Sequence, residues 1–258
     1  MIQKILIKKA RKTFLEDQQK EVVVSSQKMY FIEDISKDYH CSDGVFKKED
    51  LKKKDTFIKS VSGQEFFIMD AYFIDTYKGI RKTAQTIPLK DLGFIIAELG
   101  IDKTMTVVDA GAGSGGCACM LARYAKKVYT YDIENKNIEQ TKANISAFRL
   151  KNIVLKQQDI YEKIPNKNVD VIILDVPEPW RAVEHAFKAL KYSGFLIVYC
   201  PQITQIQQLI NSALKKDFII LKTVEIIERD WKVQGEIVRP ISLSNIHSGF
   251  ITVLRKVG

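Results

Sequence analysis

Four aspartates stand where a carboxylate can do chemistry. Asp109 precedes the glycine-rich run Gly111-Ala112-Gly113-Ser114-Gly115-Gly116. Asp132 ends the next apolar run, 19 residues after Gly113, and Asp159 follows the one after that. Asp175 opens the stretch Asp175-Val176-Pro177-Glu178-Pro179-Trp180. A carboxylate at such a point can accept hydrogen bonds from sugar hydroxyls or a base amino group, or sit beside a cation. A single one is as well explained as a helix N-cap or a solvated loop charge. Acids at successive strand ends of one sheet favour a shared ligand. Gly111, Gly113 and Gly116 also satisfy the G-x-G-x-x-G spacing, which lets a nucleotide approach the backbone. That match alone does not choose among nucleotide classes. Pro177 and Pro179 stiffen the loop that presents Asp175.

The elements that must hold these residues read as alternating strands and helices. Helices are predicted at residues 91–99, 114–124, 135–148, 180–190 and 203–214, and strands at 106–110, 127–132, 153–157, 169–174 and 195–200. The alternation predicts an α/β fold with a mostly parallel, doubly wound, Rossmann-like sheet and helices on both faces. In such sheets ligands bind beyond the carboxyl ends of the strands. Runs 218–227 and 250–255 lack a clear helix between them and predict an antiparallel sheet edge. The first part of the chain has another texture. Short β-rich runs at 4–7, 21–24, 28–32, 56–61 and 65–69 alternate with polar turns. The division expected is a small β-rich domain over 1–78 and an α/β domain over 79–258. Lys47, Lys48, Lys52, Lys53 and Lys54 cluster on a short helical stretch of the former, either as a solvated face or as an RNA-backbone contact.

Composition sets the outer limits. The chain has 258 residues, with 40 Lys plus Arg against 31 Asp plus Glu, a net charge of +9, and 46% hydrophobic residues. That is a globular composition. No run reaches the roughly 18 apolar residues of a membrane span, and the lysine-broken N-terminus is not a signal peptide. Cys41, Cys117, Cys119 and Cys200 are spaced for neither a zinc site nor a secreted disulfide framework. A cytoplasmic protein without a metal is expected. The basic excess fits a polyanion partner, with lysines toward the N-terminus tracking its phosphates.

The run Asp109-x-Gly111-x-Gly113-x-Gly115 resembles motif I of the class I S-adenosylmethionine (SAM) methyltransferases. VVDAGAGSGG at 107–116, LDVPEPW at 174–180, RKTAQTIPLKDLG at 81–93, Arg239-Pro240 and His247-Ser248-Gly249-Phe250 together resemble the tRNA (adenine-N1)-methyltransferases, over roughly residues 81–255. The resemblance implies methyl transfer from SAM to N1 of an adenine in the tRNA T loop. The position is 58 and, in archaeal-type members, also 57. It implies that Asp175 lies by the acceptor base and the cofactor, that Asp132 holds the ribose, and that Asp159 holds the adenine. Gly111, Gly113 and Ser114 would line the methionine portion, with Asp109 close by and Gln85 closing over it. Tyr199 would either stack on an extruded base or stand as an ordinary buried tyrosine of its strand. Arg239 would contact phosphate or pair locally. His247 would either contact substrate or serve as a hydrogen-bonding residue at a strand start. The family resemblance also implies a homotetramer. One departure stands out: Pro88 occupies the place of a usual aromatic residue. Competing readings are a methyltransferase for a small molecule or protein, a non-catalytic tRNA-binding subunit, and a nicotinamide dehydrogenase.

Overall fold

The computed structural model describes residues 1–15, 20–54, 56–235, 237–242 and 247–258. The chain forms two compact units, Met1–Gly79 and Ile80–Gly258. The first is antiparallel. Strands β1 (Lys4–Lys8), β2 (Arg11–Leu15), β3 (Lys20–Ser25), β4 (Lys28–Ile32), β5 (Tyr39–Cys41) and β6 (Gly44–Phe46) lead into the single turn α1 (Lys48–Leu51). Then come β7 (Phe57–Lys59), β8 (Glu65–Asp70) and α2 (Phe73–Lys78). The order β4-β1-β8-β7 makes a four-stranded sheet, while β2-β3 and β5-β6 are two-stranded hairpins. Strand β3 falls on the run expected at 21–24, while β2, β5 and β6 are too short and polar to announce themselves as alternating runs. Leu6, Ile32, Phe46, Leu51, Ile58, Phe66 and Ile68 form the core. Phe46 meets Phe66 edge to face at 5.0 Å, a favoured aromatic geometry. Of the lysine cluster, Lys47 pairs with Asp38 and Lys53 with Asp50.

The second unit is α/β. It runs α3 (Leu89–Leu99), β9 (Thr106–Ala110), α4 (Gly116–Tyr124), β10 (Lys127–Asp132), α5 (Asn135–Phe148), β11 (Ile153–Gln157) and β12 (Val169–Leu174). A 3₁₀ turn at Pro179–Ala182 precedes α6 (Val183–Ala189), β13 (Leu190–Cys200), α7 (Ile203–Ala213) and β14 (Phe218–Glu225). The hairpin β15 (Trp231–Gln234) and β16 (Ile237–Pro240) and the last strand β17 (Phe250–Lys256) complete it. The sheet order is β11-β10-β9-β12-β13-β17-β14. The first five strands pair in parallel, and β17 runs antiparallel to both β13 and β14. Chain direction reverses out from β9, so the crevice between β9 and β12 is the switch point. Val171, Ile172, Ile173 and Leu174 of β12 are all fully buried, as a central strand covered on both faces requires. Each contributes about 1.5–3 kcal/mol of apolar burial.

Three expectations shift. The helix predicted from 180 begins as a 3₁₀ turn with Pro179 at its start, a position where the missing N–H would have no partner in any case. The fifth strand starts at Leu190 rather than 195, with a register shift between Val169 and Val171 on its partner. The segment between the last two long strands contains the β15-β16 hairpin, built from Trp, Val and Ile that sequence order alone did not separate from loop. Among the described residues no helix is long and apolar enough to cross a membrane. All four cysteines are free.

Candidate functional site

A cavity of about 400 Å³ opens at the carboxyl ends of β9, β10, β11 and β12. It is lined by Gln85, Gly111, Gly113, Asp132, Asp159 and Asp175, together with Glu134, Asn137, Gln158 and Tyr161. Six of the eleven expected site residues therefore meet here. No lysine or arginine is among the lining residues.

The glycine loop brings its backbone to the cavity. Gly113 has φ +55°, a conformation that disfavours a side chain. Its N–H donates to Asp132 Oδ2 at 2.8 Å. The same carboxylate accepts from the Glu134 N–H at 2.9 Å and from Asn137 Nδ2 at 3.2 Å on both oxygens. Asp132 is thus fixed at the mouth by backbone and amide donors. Asp159 accepts from the Tyr161 N–H at 2.7 Å. Ser114 is fully buried and does not line the cavity. Its hydroxyl holds the neighbouring segment instead, accepting from the Thr83 N–H at 2.8 Å and the Ala84 N–H at 3.2 Å, and donating to the Ala84 carbonyl at 3.0 Å. Through that segment it positions Gln85. Thr83 also donates to Asn137 Oδ1 at 2.9 Å, so segment, helix and Asp132 form one chain of bonds.

Asp109 lies beneath the cavity and not in its wall. It is fully buried and accepts from Thr130 Oγ1 at 2.7 Å. Its other oxygen, Oδ1, is buried without a hydrogen-bond partner among the described residues. Burial, opposed by Thr130 and the nearby Cys117 thiol, raises its carboxyl to about 6. Asp175 begins where β12 leaves the sheet. Its N–H donates to the Ala110 carbonyl at 2.6 Å, and its carbonyl accepts from the Gly111 N–H at 3.3 Å. Burial, with the Asp109 charge adding to it, pushes its carboxyl up to about 7.

The remaining loop contacts were not foreseen. The Glu178 N–H donates to Tyr161 Oη at 3.0 Å, Gln205 Nε2 donates to the Pro177 carbonyl at 2.9 Å, and Ser212 Oγ donates to the Trp180 carbonyl at 3.0 Å. Side chains bonding to backbone carry no periodicity, so only proximity reveals them.

Tyr199, Arg239 and His247 are not brought to the cavity wall. Tyr199, expected to offer a stacking face, is buried at 8% exposure, and its hydroxyl donates to Asp91 Oδ2 at 3.3 Å. A Cβ on Gly249 would stand 2.6 Å from that ring, so only glycine fits there. Asp91, fully buried, also accepts from Ser248 Oγ at 2.7 Å and pairs with Lys90 at 2.8 Å. Lys90 further donates to the Ile226 carbonyl and to Ser248 Oγ. The run from Ser248 to Phe250 is therefore packing and tethering machinery. His247 bonds Glu225 Oε1 at 2.5 Å and the Pro201 carbonyl at 2.8 Å, and the Glu225 carboxylate raises its imidazole above the usual range. Arg239 is exposed on β16 and shares a surface cleft of about 640 Å³ with Arg229. Pro88 is the residue before α3, its carbonyl accepting from the Asp91 and Leu92 N–H groups.

The donor set discriminates among cofactors. A pyrophosphate would meet four carboxylates and no cation in this wall. A ligand with hydroxyls, an amino group and a positive centre meets acceptors throughout. The raised carboxyls of Asp109 and Asp175, neither with an ion pair among the described residues, mark a place short of positive charge. These residues fit SAM and not a nicotinamide dinucleotide. Among the described residues no group of side chains is arranged to hold a metal ion.

Comparison with known proteins agrees with the chemistry. The family model described as tRNA methyltransferase complex GCD14 subunit matches residues 79–249. The tRNA (adenine(57)-N(1)/adenine(58)-N(1))-methyltransferase TrmI of Methanocaldococcus jannaschii is 35% identical, over 77% of this chain and 81% of its own. A tRNA (adenine(58)-N(1))-methyltransferase TrmI of Thermus thermophilus is 31% identical, over 68% and 71%. A SAM-dependent O-methyltransferase structure from Thermotoga maritima superposes with a TM-score of 0.82 at 25% identity, covering 99% of this chain and 93% of that one. The TrmI structure from Aquifex aeolicus gives 0.77 at 22%, covering 99% and 97%, and shares the fold.

Proposed function

The chain belongs to the tRNA (adenine-N1)-methyltransferase family, and on that premise we propose that it methylates N1 of an adenine in the tRNA T loop, at position 57 or 58. The observation that carries the reading is the cation-free carboxylate cavity with Asp175 delivered at its edge by a proline-stiffened loop. When bound, SAM supplies an electrophilic methyl group on a sulfonium centre.

This chain's residues do the rest. Asp132 and Asp159 accept from ribose hydroxyls and from the adenine amino group. Gly111 and Gly113 let the backbone approach, and Gln85 closes over the opening. Adenine N1 has a free lone pair, so no strong base is required before attack. The product base is cationic, and a fixed carboxylate at its edge stabilises the charge as it grows. Asp175 is assigned that role, and its rigid loop orients the acceptor. Asp109 acts from below by adding negative potential to the Asp175 side of the cavity. Arg239, with Arg229, is assigned to tRNA phosphate, and His247 and Tyr199 to the framework of that edge.

We take the chain as two domains over 1–78 and 79–258, one residue from the division into compact units at Gly79. The protein is proposed to act in the cytoplasm as a homo-oligomer, a homotetramer by family resemblance. Supporting this, the hairpin side chains Trp231, Val233 and Val238 are exposed. Light scattering tests the mass. The deciding experiment is nucleoside mass spectrometry of unmodified tRNA incubated with the protein and SAM. 1-Methyladenosine mapped to position 57 or 58 is expected. SAM binding with no methylated nucleoside would favour the other reading, a small-molecule or protein substrate.

A further inference from the structure

Tyr161 stands between the two halves of the cavity. On one side it belongs to the turn after β11: its N–H donates to Asp159 Oδ1 at 2.7 Å, and it lines the cavity beside that aspartate. On the other side its hydroxyl accepts from the Glu178 N–H at 3.0 Å, inside the loop that carries Asp175. The Arg181 guanidinium lies 4.5 Å from the ring centroid, a cation–π distance. Arg181 Nη1 in turn bonds Glu178 Oε2 at 2.8 Å. Glu178 is thus held three times, by its N–H through the tyrosine hydroxyl, by its side chain through the arginine on the tyrosine face, and by its carbonyl through the Arg181 N–H at 3.0 Å.

We propose that Tyr161 is a positioning residue that fixes the Asp175 loop against the Asp159 side of the cavity, so that a base and a cofactor meet in register. This rests on the function proposed above. The alternative anchors do not replace it. Gln205 and Ser212 hold the carbonyls of Pro177 and Trp180, on either side of Glu178, and leave the Glu178 N–H to the tyrosine. Proline at 177 and at 179 fixes φ at its own position and narrows the residue before it, so within this pair only Glu178 has a φ that no ring locks and an N–H to be held. The tyrosine bond falls on that residue.

The test separates position from binding. Tyr161→Phe keeps the ring and the arginine contact and removes only the acceptor for Glu178. Its kcat on tRNA should fall about tenfold, the scale of one lost hydrogen bond to a loop that aims a reacting group. Its SAM dissociation constant, by calorimetry, should stay within about twofold, a change too small to reflect a lost hydrogen bond. Arg181→Ala should lower kcat in the same way, and the double variant should lose less than the product of the two, because both act on Glu178. Arg181 is half-exposed, so that variant keeps the question open should the tyrosine change disturb folding. Wild-type kcat in Tyr161→Phe would overturn the proposal. So would equal losses in kcat and SAM affinity, which would make the tyrosine a cofactor contact. Wild-type protein is assayed alongside, and its failure to form 1-methyladenosine would count against the proposed function and not against the loop contact.

Discussion

Asp43 in the first unit and Asp175 in the second are the same side chain in opposite electrical surroundings. Asp43 is buried to 7% exposure and accepts from Lys8 at 3.1 Å, from Lys28 at 2.7 Å and from the Tyr30 hydroxyl. Those donors hold its carboxyl well below the usual carboxylate range. Asp175 and Asp109 have no ion pair among the described residues, and burial raises both. The first arrangement is complete and locks strands β1 and β4 to the β5-β6 turn. The second lacks a positive partner. Paired acids here build structure, and unpaired ones wait for a ligand.

The sharpest way to break this contrast is Asp175→Ala. Methyl transfer should fall about 10²–10³-fold, as for other lost transition-state partners, while SAM still binds. Nucleoside mass spectrometry and a SAM titration check the two halves. Wild-type rates would remove Asp175 from the chemistry. Next comes the pH profile. Only ionised Asp175 can offset charge on the methylated base. With a carboxyl at about 7, kcat/KM should climb through neutral pH and lose up to tenfold per unit below it. At saturating SAM the inflection in kcat should move lower, because a nearby cation favours the carboxylate.

Stability should show mirrored pH slopes. Asp109 has a folded value of about 6, above its unfolded value. Its cost is absent below about pH 4, where it is protonated in both states, and complete above its folded value. Asp109→Asn mimics the protonated acid and should gain up to about 3 kcal/mol at pH 8, the gain vanishing toward pH 4. Asp43 runs the other way, since its folded value is depressed. Its stabilisation is present above about pH 4 and is lost as pH falls further. Asp43→Asn should therefore lose about 1–3 kcal/mol at neutral pH, the loss shrinking in acid, with SAM affinity unchanged. Chemical denaturation across pH measures both. Parallel slopes would abolish the distinction between the two acids.

The contrast also explains what was legible in the sequence. Asp132, Asp159 and Asp175 were readable because each follows a buried apolar run, and sheet topology then gathers strand ends. Gln85 and the glycines followed from their place beside those ends. Asp109 was readable as close to the site, and its burial beneath the wall was not, because its position on β9 points it into the fold, a matter of strand alternation near a turn. Tyr199 and Ser114 stand off the cavity wall for a common reason: a hydroxyl at a strand end or in the glycine loop can face a ligand or a neighbouring segment, and spacing does not distinguish them. The charge was misplaced as well. Counted to Lys90, the first part holds 18 basic residues against 13 acidic. Divided at Gly79, it holds 15 against 13, and the second unit holds 25 against 18. Most of the +9 thus belongs to the α/β unit, where tRNA binding should weaken as salt rises.

The contact between Gly249 and the Tyr199 ring has an evolutionary reading. A side chain at 249 demands a smaller residue at 199, and a smaller residue at 199 removes a donor from the buried Asp91 carboxylate. A side chain at 249 and a smaller residue at 199 each disturb a contact of another of these three positions. Positions 91, 199 and 249, far apart in the chain, are expected to drift through related sequences as a set or to stay still together.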